Sequence, residues 1–143
     1  MGLIVVGVDA SESSEAALAW ALREGAVRGD PVQVLAAWSY LDQTAVTGHD
    51  FTADFDEADA LVAVHAIVEK VRAEVGTADD VEVRETAVCD LPARALLEAA
   101  ASADLLVVGA RGVGGFTGLL LGSVSQQCVH HSPCPVVVVR EDD

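Results

Sequence analysis

The order of apolar runs along the chain predicts an α/β protein: an open, five-stranded parallel sheet enclosed between two helical layers. Three observations carry that prediction. Short, almost wholly apolar runs at residues 3–8, 32–38, 105–108 and 135–140 read as strands, those at 3–8 and 105–108 as buried ones. Between them lie segments whose apolar residues recur every three or four positions, the spacing of a helix that packs one face. The two kinds alternate as βαβαβαβαβ, and right-handed crossovers turn that order into a parallel sheet. At 143 residues, 52% of them hydrophobic, the chain suffices for one domain with a substantial core, residues 1–143.

Each element has its own signal. The first strand, residues 3–8, ends at Asp9. Ser11 is the expected N-cap of a helix running to Arg28, with Ala17, Trp20, Ala21 and Glu24 on one side and Leu18, Leu22 and Gly25 on another. Gly29-Asp30-Pro31 stops it. The second strand is residues 32–38. Residues 39–55 follow no period and read as a long loop. A helix emerges from Asp56, with Leu61, Val64, Val68, Val71 and Val75 as its apolar stripe and Gly76 as its terminator. Residues 81–88 alternate apolar and polar, so they read as an exposed or edge strand. Pro92 suits the first turn of a helix running to about Ser102. The strand 105–108, a glycine-rich stretch, a helix opening at Ser123 and a last strand at 135–140 complete the chain.

Charge and cysteine usage exclude several functions. Eight basic against 23 acidic residues give a net charge of −15, which disfavours sequence-independent binding to nucleic acid or an anionic membrane. No apolar run reaches the ~18 residues of a membrane helix, and no basic leader precedes the first strand. Cys89, Cys128 and Cys134 form no CxxC pair and fit reduced thiols in a cytoplasmic protein. His130 and His131 are adjacent on a helix, about 100° apart, and so do not converge on one metal ion. His65 precedes Glu69 by four, an ordinary helix pair.

The functional signal lies in residues 105–140. Glycines after a buried strand and before a helix let the backbone approach phosphate closely, and the helix N-terminus adds partial positive charge. Gly109, Gly112 and Gly122-Ser123 give the spacing G-x2-G-x9-G-S. With the flanking apolar strands, the Pro-Cys-Pro-Val-Val-Val-Val ending, the opening Ile4-Val5-Val6-Gly7-Val8-Asp9 and the following Ser11 to Ser14, the chain resembles the ATP-binding branch of the universal stress protein family over essentially its whole length. The resemblance implies a Rossmann-like sheet, of the adenine nucleotide alpha hydrolase-like kind, with strand order 3-2-1-4-5 and a ligand site where strands one and four diverge. It further implies a stress-response binding module that holds ATP with Mg²⁺, and a homodimer through Val136, Val137, Val138 and Val139.

The residues expected at that site are Gly7, Val8, Asp9, Ala37, Val108, Gly109, Arg111, Gly112, Gly122, Ser123, Val124 and Ser125. Asp9 is expected to reach the ribose, or the phosphates through Mg²⁺; the plainer reading is that it caps nearby amides. Val8 and Ala37 align with family positions bordering adenine, and as residues they are also simply strand ends. Ser123 can cap its helix while its hydroxyl and N–H reach phosphate. Ser125 offers an N–H or a hydroxyl, and Arg111 offers charge. Lys70 is the only lysine, and the chain has no GxxxxGK[ST], GxSxG or HExxH. The alternatives are therefore a slow ATP hydrolase or phosphotransferase, a nucleotide-free adaptor, and a flavin carrier using Trp38 and Tyr40. Residues 39–55 and the stretch 109–118 are expected to be mobile without ligand and to order around ATP.

Overall fold

The computed structural model describes residues 2–38, 57–76, 80–111 and 122–141. Strand β1 (Ile4–Gly7) leads to helix α1 (Glu12–Arg28), and β2 (Val32–Trp38) is followed by α2 (Glu57–Val75). Then come β3 (Val83–Cys89), α3 (Pro92–Ala100), β4 (Leu105–Gly109), α4 (Ser123–His131) and β5 (Val136–Val139). All four strand pairings are parallel, and the sheet order is β3-β2-β1-β4-β5. The fold class and strand order are those expected. Residues 39–55 and 112–118 lie outside the described residues, so the expectations placed on them do too.

Strand alternation explains the two cores. Ile4 and Val6 of β1, with Val32, Val34 and Ala36 of β2, point to one face and pack under α1 and α2. Val5, Leu35, Ala37, Leu106 and Val108 point to the other face and meet Ala95 and Leu96 of α3 and Cys128 of α4. β1 is thus buried on both sides, which is why its sequence is a continuous apolar run.

Helix α1 buries Ala17, Leu18, Ala21, Leu22 and Gly25 together, so the two expected faces are one broad face. In α2 the buried line is Ala60, Val64, Val68 and Val71; Leu61 and Val75 flank it, half-buried. Gly29 and Gly76 end their helices in the left-handed conformation, at φ 74° and 70°, which costs a glycine little. Lys70 Nζ pairs with Glu15 at 2.9 Å and ties α2 to α1. No helix among the described residues is long and apolar enough to cross a membrane.

Several ends differ from expectation for local reasons. β1 stops at Gly7, yet Val8 N–H still donates to Leu35 O at 2.9 Å, so sheet pairing outlasts the strand by one residue. β3 starts at Val83, not at residue 81: Val81 is instead buried in the core beneath α1 and α2, and its carbonyl accepts from Arg72 Nη2. α3 stops at Ala100, because the amides of Ala101, Ser102 and Ala103 each reach back three residues and tighten the last turn. β3 and β5 are the edges, and all four valines of β5 are only half-buried.

One tie was not foreseen. His65 meets Glu69 only at 3.8 Å, while its Nδ1 lies 3.0 Å from Glu85 of β3, across the α2–β3 contact. The hydrogen bond to Glu85, and then its charge, raise the His65 imidazole above its ordinary 6.5. A raised folded-state value stabilises the fold fully below pH 6.5, and that contribution disappears as pH rises through the folded value. The pair is exposed, so the effect on stability is small. The expected outcome is a His65 ring titration by NMR with a midpoint above 6.5, falling back toward 6.5 in Glu85→Gln.

Candidate functional site

Because β1 and β4 are neighbours whose following helices lie on opposite faces, their carboxyl ends open a crevice. Its first bank is Asp9 and the start of α1. Ser11 N–H donates to Asp9 Oδ1 at 2.8 Å, and the Ser11 hydroxyl donates to the same oxygen. Ser11 Oγ in turn accepts from Ser14 N–H at 3.1 Å, so Ser11 is the N-cap and Asp9 is braced by it. Ser14 Oγ accepts from Asp9 N–H at 3.0 Å and lies 2.8 Å from the Asp9 carbonyl, which its hydroxyl can donate to. The Asp9 carboxylate is therefore held in place at both its side chain and its backbone. Local capping, the plainer reading of Asp9, accounts for one of its oxygens.

The second bank is the exit from β4. A Cβ at Gly109 would lie 2.7 Å from the backbone carbon and oxygen of Ser13 and 2.6 Å from its Oγ. Real side chains do not approach that closely, so the glycine is required by the first turn of α1, independently of any ligand. Arg111 N–H donates to the same Ser13 Oγ at 3.2 Å. Ala110 N–H donates to Val139 O of β5 at 2.8 Å, and Ala110 O accepts from Gly122 N–H at 2.6 Å. That last bond brings the two ends of the 111–121 segment together.

Helix α4 starts where this closure delivers it. Gly122 is the N-cap, with no side-chain cap bond, and Ser123 is the first helical residue. This corrects the reading of Ser123 as a cap. The first intrahelical donor is Gln126 N–H, to Gly122 O at 3.0 Å. The amides of Ser123, Val124 and Ser125 precede it, so the helix itself offers them no carbonyl. Ser125 differs from the expected phosphate-facing hydroxyl. It is buried, 2% exposed, and its Oγ lies 2.9 Å from Ala110 O and 3.0 Å from Gly122 O. Its hydroxyl fastens the loop end to the helix, and only its N–H faces the open turn.

The remaining expected residues divide clearly. Val8, Ala37 and Val108 have buried side chains and belong to the cores. Gly7 faces Leu96 of α3, whose Cδ1 would lie 2.8 Å from an added Cβ. Gly112 lies outside the described residues. The Arg111 side chain is exposed. The amides of Ala110, Arg111 and Gly122 are bonded within the protein.

Ser13 is the residue that sequence reasoning missed. Its signal was present: three serines within four positions at a helix start, in a chain whose fourth strand ends on glycine. His130 and His131 sit exposed in the last turn of α4, with ring centroids 6.3 Å apart. Among the described residues no group of three or more His, Cys, Asp or Glu side chains could hold a metal ion by itself. Burial pushes the Cys128 thiol up to about 11, so it acts as core, not as a nucleophile.

Residues 1–140 match the model of the Universal stress protein family. The chain belongs to that family. A universal stress protein of Mycobacterium tuberculosis is 41% identical over 138 residues, covering 96% of this chain and 45% of the relative. The chain thus spans less than half the length of that relative. Among solved structures, the universal stress protein UspA from Lactobacillus plantarum superposes with a TM-score of 0.71 at 20% identity, covering 97% of each chain. A universal stress protein in complex with cAMP superposes at 0.69 and 27% identity, covering 97% of this chain and 96% of that one.

The close approach at Gly109 gives a direct expectation. Gly109→Ala should lower unfolding stability by about 1–3 kcal/mol, the usual cost of overpacking, because the obstacle is Ser13 backbone and cannot rotate away. A urea midpoint equal to wild type would show that the two banks are not in contact.

Proposed function

We propose that this universal stress protein holds an adenine nucleotide, ATP with Mg²⁺, across the crevice between β1 and β4, as a cytoplasmic stress-response module that acts by binding. The observation that carries this reading is the convergence of two unlike banks. Asp9, its carboxylate pinned by Ser11, stands on one; the open first turn of α4 stands on the other. A carboxylate suits ribose hydroxyls or a hydrated Mg²⁺, and helix-start amides suit phosphate. Asp9 alone does not make a metal site, but one carboxylate plus substrate phosphates is an ordinary donor set for Mg²⁺. When bound, the ion would offset phosphate charge in a chain of net charge −15. The residues lending adenine its contacts would be Val8, Ala37 and Val108 through backbone, since their side chains are buried. The relative solved with cAMP supports an adenine nucleotide as the ligand class.

Binding without turnover is the better fit. Lys70 sits on α2 in an ion pair with Glu15, and the Ser11, Ser14 and Ser125 hydroxyls are engaged within the protein. The test is mass spectrometry of ligand released from denatured protein, with titration calorimetry against Mg-ATP. Gly122 has φ −76° and ψ 173°, a conformation any residue adopts. Gly122→Val should therefore fold, and should lose nucleotide affinity because its side chain obstructs the phosphates. Wild-type affinity in that variant would move the site elsewhere.

The proposed assembly is a homodimer through β5. Its four valines are half-buried on a sheet edge, and an uncovered apolar edge invites pairing with a second copy. Light scattering at micromolar concentration should give twice the chain mass, and Val138→Lys should give the monomer.

A further inference from the structure

The first turn of α1 touches both banks of the crevice. Ser11 and Ser14 hold Asp9, whereas Ser13 reaches across to β4. Ser13 is 2% exposed, its backbone fills the space beside Gly109, and its Oγ accepts the Arg111 N–H, 98 residues away in sequence. That amide is the first beyond Ala110, where the chain leaves the sheet for the segment that returns at Gly122.

We infer that Ser13 is a positioning residue of the phosphate bank: by accepting the Arg111 amide it sets the direction in which the chain leaves β4. This rests on the nucleotide reading above and deepens it, assigning the aim of the phosphate side to a helix that otherwise serves the sugar side. The geometry has a specific consequence. Removing the Ser13 hydroxyl frees the Arg111 amide and leaves the bonds of Asp9 to Ser11 and Ser14 in place, because Ser13 takes part in none of them. The effect must therefore fall on the phosphate-bearing part of a ligand and spare the nucleoside part. A residue that only stabilised the fold would weaken both alike.

The experiment compares wild type, Ser13→Ala and Ser13→Thr by calorimetry with Mg-ATP and with adenosine, together with hydrogen exchange at the Arg111 amide in ligand-free protein. Ser13→Ala should weaken Mg-ATP about threefold to tenfold, the effect of one lost hydrogen bond, while adenosine binds as before and Arg111 exchanges faster. Ser13→Thr keeps the acceptor and should recover much of the Mg-ATP affinity. Unchanged Mg-ATP affinity in Ser13→Ala, or an equal loss for adenosine, overturns the assignment while leaving the nucleotide reading intact. Failure of wild type to bind either ligand overturns the nucleotide reading and this inference with it. Should Ser13→Ala not fold, the wild-type Arg111 amide decides: protection supports the bond to Ser13, and exchange at the free-peptide rate overturns it.

Discussion

The fourth strand leaves the sheet through a gap that admits no side chain. Gly109 lies against the backbone of Ser13, and everything on the phosphate side follows from that contact. With the two backbones this close, the next amides find fixed partners: Ala110 on β5 and Arg111 on Ser13. The Ala110 carbonyl is then turned to receive both the Gly122 amide and the Ser125 hydroxyl, and these fix where α4 begins. The long excursion between residues 111 and 122 is thus anchored at its root by a few short bonds.

Much of the fold was readable because its determinants are local. A strand buried on both faces must be continuously apolar, and Ile4–Gly7 and Leu105–Gly109 are. Gly29 and Gly76 mark helix ends because few other residues tolerate their φ. The errors occurred where one local pattern serves two tertiary outcomes. Val81 keeps the period of β3 yet leaves it to fill the core. Glu69 is the natural helical partner of His65, but strand register brings Glu85 closer, and no spacing rule encodes that. Within the site, the serines at the start of α1 were visible in the sequence, but the role of Ser13 was not, since it depends on a contact 98 residues distant. Ser125 was expected to offer its N–H or its hydroxyl, and the hydroxyl is engaged within the protein. Third in its helix, it turns inward, and the sequence pattern does not distinguish a hydroxyl that faces a ligand from one that faces a carbonyl.

The acidity of the chain bears on how phosphate is to be met. A net charge of −15 repels an anion at long range, and the one lysine is committed to Glu15. Among the described residues, the donors left near the crevice are short-range and largely neutral: the amides of Ser123, Val124 and Ser125 and the partial positive end of α4, equivalent to roughly half a charge. Such donors act only at contact, so they reward a phosphate placed within hydrogen-bond distance and do nothing to attract one from afar. Arg111, exposed beside them, adds charge without rigid geometry. In the proposed reading Mg²⁺ would complement this arrangement, since a magnesium nucleotide arrives with part of its charge already neutralised.

The same economy separates holding from transfer. A phosphotransferase needs a hydroxyl or carboxylate that is near the phosphate and available to attack it, with a base to take the proton. Here Ser11, Ser13, Ser14 and Ser125 have structural partners, while Ser123 is exposed at the first turn of α4. Ser11 donates a hydrogen bond to Asp9, Ser14 braces the Asp9 backbone, Ser13 accepts from the Arg111 amide, and the buried Ser125 hydroxyl bonds to the Gly122 carbonyl. Activating any of them would first require breaking a bond that shapes the site. In the proposed reading, four of the described serines near the crevice serve as scaffolding, which favours holding a nucleotide over transferring its phosphate. Ala110 joins the exit of β4 directly to Val139 at the end of the edge strand β5.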